Sequence, residues 1–211
     1  MRVLGASVPA LLFAALAACS STGQVTTEAT EATTEPTNVS DQQAADSLEP
    51  ASSSGLDERP GPRRETTGDV PHIQIDAAPV ASVESELRRR VFLLPGVEER
   101  ESARSLPGAA GIWVNDTVEL SRGEILGGGR EIAHIHPDGS LHVFLPVELA
   151  AEVERTKWGE FHPWADREGF WDGLAMVYTP ETMEEVDVAF GLIVASYNFV
   201  VGAAIDPAAV G

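Results

Sequence analysis

Glu131-Ile132-Ala133-His134-Ile135-His136-Pro137-Asp138-Gly139-Ser140-Leu141-His142-Val143-Phe144-Leu145-Pro146 decides how this chain reads. Two alternating runs rich in Ile, Val and Leu flank Pro-Asp-Gly, the pattern of a β-hairpin. Pro137 and Asp138 suit the centre of a type I turn. Gly139 suits the positive φ that closes a three-residue loop. That loop sets His136 opposite Ser140, His134 opposite His142 and Ile132 opposite Phe144. Side chains alternate along a strand. One face therefore carries Ala133, Ile135, Leu141, Val143 and Leu145, all apolar. The other carries His134, His136, Ser140 and His142, with Ile132 and Phe144 at its far end. A two-residue Asp-Gly turn would slip the register by one and bury the His142 ring among apolar residues without a partner. The three-residue loop is the consistent solution.

Outward from the hairpin, the spacing of Val83, Leu87, Val91 and Leu94 predicts a helix from an N-cap at Ser82 to Leu94, stopped by Pro95-Gly96. Arg88, Arg89 and Arg90 lie on its solvated face. Val97 to Ala103 and Ala110 to Val114 read as strands, with Val118 to Leu120 extending one of them, and Trp113 reads as core. Gly127-Gly128-Gly129 has no Lys-Ser/Thr after it and is no phosphate loop. Pro146 opens a second helix, Val147 to Thr156, with Leu149 and Val153 inward. Glu160 to Asp172 reads as a loop dense in aromatics, and Leu174 to Tyr178 as a short buried strand. Thr179-Pro180-Glu181 then caps a long closing helix. Its buried stripe is Met183, Val186, Phe190, Ile193, Tyr197 and Val200, and Gly202 ends it. Strands cluster between helices without βαβ alternation. The class is α+β: a small antiparallel sheet with helices packed on one face and a long C-terminal helix.

The N-terminal part reads differently. Arg2 precedes an apolar run, Val3 to Ala17, too short to span a bilayer. It ends in Leu16-Ala17-Ala18-Cys19, the pattern of a bacterial lipobox. The expectation is a signal peptide over 1–18, lipid on Cys19, and anchorage on the extracytoplasmic face of the cell membrane. Residues 19–79, rich in Ser, Thr, Glu, Pro and Ala, have no apolar stripe to dock and read as a disordered tether. On this reading His72 is exposed, Arg59 to Arg64 serve solubility, and Val70 to Ile75 form at most a short edge strand. The folded domain spans 80–204, and 205–211 is a tail. Cys19 is the only cysteine, so there is no disulfide framework and no cysteine zinc site. A net charge of −19 argues against nucleic acid and against anionic membrane surfaces as partners.

Three imidazoles share one face of the hairpin, the cross-strand neighbours His134 and His142 about 5 Å apart at Cβ and His136 close to them. They cannot all be charged there, so at least one pKa must fall. Neutral, adjacent imidazoles are competent bases. His134, His136 and His142 are therefore candidate catalytic residues of a small-molecule pocket that needs no cofactor. His162, in the aromatic loop, and Tyr178, at the end of a neighbouring strand, complete the candidate set. Alternatively, His134, His136 and His142 hold a metal ion such as Zn or Fe with an open position. Glu131 or Glu160 could fold into that site. A polar face that meets only solvent is the third reading. Asp138 reads as a structural turn residue.

The hairpin, together with Trp158-Gly159-Glu160-Phe161-His162-Pro163 and Met176-Val177-Tyr178, resembles the luciferase domain family, small domains related to the luciferase of luminous fungi. The resemblance also takes in Leu94-Pro95-Gly96-Val97 and the closing helix, from roughly Val80 to Gly202. The fungal members oxygenate a 3-hydroxy-α-pyrone with molecular oxygen, release CO2 and emit light, using neither flavin nor ATP. The resemblance thus implies a cofactor-independent oxygenase or related enzyme acting on a small enolic or phenolic compound, here within a bacterial lipoprotein. It assigns no role to an individual residue, and luminescence itself is not expected. The alternative is a lipoprotein domain that captures a small ligand without chemistry.

The lipobox reading makes one direct prediction. Cys19→Ala should move the protein from the membrane fraction to the soluble fraction of expressing bacterial cells or to their medium. Fractionation identical to wild type would contradict it.

Overall fold

Pro137-Asp138-Gly139 closes the hairpin as its residue types demand. Gly139 N donates to His136 O at 2.9 Å, and Gly139 has φ 85°. Ala133 pairs with Val143, His134 with His142 and Ile135 with Leu141. A Cβ on Gly139 would lie 2.6 Å from Thr179 Cγ2, so packing as well as φ requires glycine. The Asp138 carboxylate accepts hydrogen bonds from Ser140 N, Ser140 Oγ and Gln74 N, the structural role expected of it.

The computed structural model describes residues 55–76 and 79–211. The expected signal peptide, Cys19 and the first part of the expected tether lie outside them. The helices are α1 (Ala81–Val91), α2 (Val147–Arg155) and α3 (Met183–Val201). The strands are β1 (Val97–Glu101), β2 (Ala110–Val114), β3 (Glu131–Ile135), β4 (Leu141–Phe144), β5 (Gly159–Phe161) and β6 (Leu174–Val177). They form one antiparallel sheet in the order β1-β2-β3-β4-β6-β5, with the hairpin at its centre. α3 packs on β3 and β4, α2 on β5 and β6, and α1 on α3. Ile135, Leu141 and Val143 are buried in one core with Phe190 and Ile193. The fold is α+β with a long C-terminal helix, as the pattern predicts.

Several boundaries differ from expectation, each for a local reason. α1 begins one residue before Ser82, with Val80 at the cap position and no side-chain cap. α3 begins after Thr182, not at Thr179. Thr182 Oγ1 accepts from Glu185 N at 3.2 Å in a Thr-x-x-Glu pattern, whereas Thr179 is drawn away to Asp138 O and Gln74 Oε1. Met183 consequently sits in the first turn, exposed. Val118 to Leu120 form no strand, because the Arg130 guanidinium bonds the carbonyls of Val114, Asn115 and Val118. β5 was read as loop; three residues are too few to show a period. The last residues are tied down, with Asn198 bonding Ile205 N and O.

The larger correction concerns the segment before α1. Residues 55–76 lie against the domain. Trp158 Nε1 donates to Asp57 O at 2.7 Å, Arg59 N to Thr156 O at 2.8 Å, and Leu56 N to Glu152 Oε1 at 2.7 Å. Arg59 is buried and pairs with Glu185 at 2.9 Å, Arg64 pairs with Glu181, and Arg63 reaches Glu154 O. The supposed solubility knot is a clasp on α2 and α3. Thr66 bridges to Gln74 in an antiparallel pair, and Gln74 and His72 are buried. Here polar side chains replace the apolar stripe whose absence suggested a tether.

Arg59→Ala leaves Glu185 half-buried without its cation. Losing one partner of a buried pair costs roughly 3–5 kcal/mol. A loss toward the low end, about 3 kcal/mol, is expected in urea denaturation because Glu185 retains some solvent. An unchanged midpoint would mean the clasp contributes nothing.

Candidate functional site

On the sheet face away from the helices, one row of side chains crosses the strands. Gly111, His134, His142, Met176 and Glu160 are successive cross-strand partners on β2, β3, β4, β6 and β5. A Cβ on Gly111 would lie 2.4 Å from Trp113 Nε1, so only glycine accommodates the indole there. Trp113 is thus half-buried on the histidine side, not core as expected, with the Arg100 guanidinium 5.5 Å from its ring.

Strict alternation puts Ile132 on this face and Glu131 on the apolar one. The structure reverses both. The β2–β3 register shifts between Ile112, which pairs with Ala133, and Trp113, which pairs with Glu131, leaving Ile132 as a bulged residue. Ile132 turns into the core. The Glu131 carboxylate turns to the histidines, 2.9 Å from His134 Nδ1, and accepts from Ser102 Oγ at 2.6 Å and Ala103 N at 2.9 Å.

From Glu131 a chain of hydrogen bonds runs across the site. His134 Nε2 meets His142 Nδ1 at 3.0 Å, His142 Nε2 meets His72 Nδ1 at 3.1 Å, and His72 Nε2 meets Glu160 Oε1 at 2.7 Å. Thr66 Oγ1 and Tyr178 O–H also donate to Glu160. Burial pushes the Glu131 and Glu160 pKa values up, but the hydrogen bonds each receives outweigh it, and both are held below the usual range. Ionised carboxylates only accept. Four links joining two carboxylates and three rings then need four N–H protons, and three neutral imidazoles carry three. The metal-free chain therefore holds one extra proton, as a single imidazolium. Burial, and then the neighbouring rings, push His142 well below its ordinary pKa.

The remaining two histidines flank His142, each at a ring-centroid distance of 4.6 Å. All five histidines of the chain therefore meet at one place. Ser140 Oγ donates to Asp138 Oδ1 at 2.7 Å, so it accepts from His136 Nδ1–H at 2.9 Å. His136 Nε2 is left with a lone pair. His162 is the opposite tautomer: its Nδ1 accepts from Trp164 N at 3.1 Å, so its Nε2 carries the proton. Burial first, and neighbouring rings second, lower His136 to about 3 and His162 to about 4. Both are neutral at pH 7.

His72, His134, His136, His142 and His162 form part of the lining of a cavity of about 520 Å³. Phe144, Trp164, Phe170 and Trp171 form aromatic walls, and Val70, Pro71 and Ile73 close one side. Among the described residues, Arg104 is the only Lys or Arg in the lining, and no carboxylate joins it. The open solvent-facing reading is thereby excluded. Of the expected site residues, His134, His136, His142 and His162 come together in the cavity wall. Tyr178 stands behind Glu160, buried, its hydroxyl pushed up to about 12 by burial and by that carboxylate.

Sequence reasoning missed His72, which was placed in the tether. The usable signal was an alternating Val70-Pro71-His72-Ile73-Gln74-Ile75 holding one of only five histidines in the chain. Residues 129–196 match the family model described as Luciferase domain. The match contains Glu131, Glu160, Tyr178 and four of the histidines and leaves out His72. No curated protein and no solved structure matches the chain.

Depressed histidine pKa values fix the sign of an acid effect. The fold favours the neutral rings, so their contribution is complete above the ordinary value of about 6.5 and is lost as pH falls. Chelator-treated protein should lose stability from pH 6.5 downward, at up to about 1.4 kcal/mol per pH unit for each such ring. His136→Gln should flatten the slope. Denaturation midpoints measured from pH 7 to pH 5 check this, and a flat wild-type profile would contradict it.

Proposed function

We propose that the luciferase-like domain of this chain is an enzyme that binds a small, flat, weakly acidic compound, an enol or a phenol, and holds it as its anion for reaction with molecular oxygen. The lining of the cavity carries this reading. Its volume suits a small ligand. Aromatic walls stack a flat ring and exclude water. One guanidinium and no carboxylate favour a negative charge. His162 offers an N–H to the ionised oxygen. The His136 Nε2 lone pair can orient the hydroxyl by accepting its hydrogen bond, and stabilisation of the anion by Arg104 and the His162 N–H favours loss of the proton to solvent. The reaction type, oxygenation of an electron-rich anion, is taken from the resemblance to the luciferases of luminous fungi, with which the Luciferase domain match over residues 129–196 is consistent. We further propose that the domain works on the extracytoplasmic face of the membrane, held by lipid on Cys19. The apolar run ending in Leu16-Ala17-Ala18-Cys19 supports that location.

Capture of the same ligand without chemistry is the second reading, supported by the same aromatic walls and guanidinium, which can hold a flat anion without reacting with it. Both are tested with one panel of hydroxybenzoates and 3-hydroxy-α-pyrones, read by tryptophan fluorescence and by an oxygen electrode. Saturable binding with oxygen uptake is expected. Arg104→Ala should weaken binding about tenfold, equivalent to about 1.4 kcal/mol. His162→Gln should reduce turnover more than binding. Binding without oxygen uptake across the panel would leave the capture reading, and no binding would remove both.

A further inference from the structure

Each histidine of the cluster except His142 uses one ring nitrogen on a protein partner outside the cluster. His134 Nδ1 is held by Glu131, His136 Nδ1 by Ser140, His72 Nε2 by Glu160 and His162 Nδ1 by Trp164 N. An outer nitrogen fixed by a carboxylate or hydroxyl, with the inner one turned to a common point, is how proteins orient imidazoles toward a cation. Two groups of three histidines place one ligand atom from each ring within 4.8 Å of the others: His134, His136 and His142, and His72, His142 and His162.

The tautomers choose between them. In the second group, His162 Nδ1 accepts a backbone N–H, so its Nε2 bears a proton and has no lone pair to give. In the first group every ring can be neutral with its lone pair inward. His134 donates Nδ1–H to Glu131, His136 donates Nδ1–H to Ser140, and His142 donates Nε2–H to His72, which in turn donates to Glu160. His134 Nε2, His136 Nε2 and His142 Nδ1 remain as donors to a cation. His134 Nε2 and His142 Nδ1 are 3.0 Å apart. Metal–nitrogen bonds of about 2.0–2.1 Å put two ligand nitrogens roughly 2.9–3.3 Å apart. A cation there also replaces the extra proton that the metal-free chain must carry between the two carboxylates.

We propose that His134, His136 and His142 bind one divalent transition-metal ion of the kind that imidazole favours, such as Zn2+ or Fe2+, with its open side toward the cavity. Glu131 is a positioning residue, setting the His134 ring. The site deepens the functional reading above and rests on it only for the substrate: a bound ion would lower the pKa of a coordinated hydroxyl, whose proton would leave to solvent through the cavity, and His162 N–H would donate to the resulting oxyanion.

The test uses the full-length protein, stripped with chelator and titrated with Co2+ and Zn2+ by calorimetry and visible absorption. One equivalent of Co2+ should bind with visible d–d bands, and Zn2+ should displace it. His136→Gln should abolish this binding while the far-ultraviolet circular dichroism stays native. His162→Gln should leave it within about threefold. Glu131→Gln should weaken it 10–100-fold, the usual effect of losing such a support. No binding at micromolar concentration by folded wild-type protein would overturn the proposal. So would binding that survives His136→Gln, or that is lost in His162→Gln instead. Ligand binding and oxygen uptake by the stripped protein would overturn the metal site and leave the enzyme reading standing.

Discussion

Burying five imidazoles side by side is the constraint that the rest of this structure answers. Rings whose centroids lie 4.6–5.3 Å apart cannot all be charged, and a buried neutral ring needs partners for its polar atoms. The fold meets both demands by working from the outside inward. Carboxylates at Glu131 and Glu160 accept from the ends of a three-ring chain, while Ser140 and the backbone N–H of Trp164 set the two flanking rings. The inner nitrogens are thereby turned toward one another and toward the cavity. A buried polar network of this kind holds together only when every member is satisfied.

The architecture serves that arrangement. An antiparallel sheet can pack helices on one face and leave the other available. Here the helical face provides the core, through α3 and α2, and the opposite face provides the site. A β-bulge at Ile132 delivers Glu131 to the site without disturbing the hairpin register that aligns His134 with His142. The clasp of residues 55–76, fixed through Arg59 and Gln74, brings in His72 and closes the cavity with Val70, Pro71 and Ile73. The rigid floor and the added strap thus contribute to one chamber. The chamber's one guanidinium among the described residues, Arg104, stands in a chain of net charge −19, so the positive charge there is local to the cavity and opposed by the overall charge.

What could be read from the sequence follows from how local its cause is. The hairpin register, the three-histidine face, the α+β class and the stripe of α3 rest on periods of 2 and 3.6 and on turn chemistry, all confined to short windows. The bulge was not legible, because a shift of one residue depends on β2, some twenty residues away (Trp113 against Glu131). Its consequence, Glu131 joining the histidines, was open only as one of two candidates. The strap was misread because its docking is polar. Segments are recognised as folding by apolar surface, and residues 55–76 attach through guanidinium pairs, backbone bonds and a buried glutamine. His72 was lost with them.

The central claim is that five histidines pack in one cluster, each ring held in a defined way by its hydrogen-bond partners. Long-range 1H–15N correlation spectra of the histidine side chains, recorded on metal-free protein at pH 7, test it most directly. The account predicts His136 protonated at Nδ1, His162 protonated at Nε2, and His72 present among the slowly exchanging, hydrogen-bonded rings. Five rings with averaged, solvent-like nitrogen shifts, or a His72 that behaves as a free imidazole while the others do not, would contradict it.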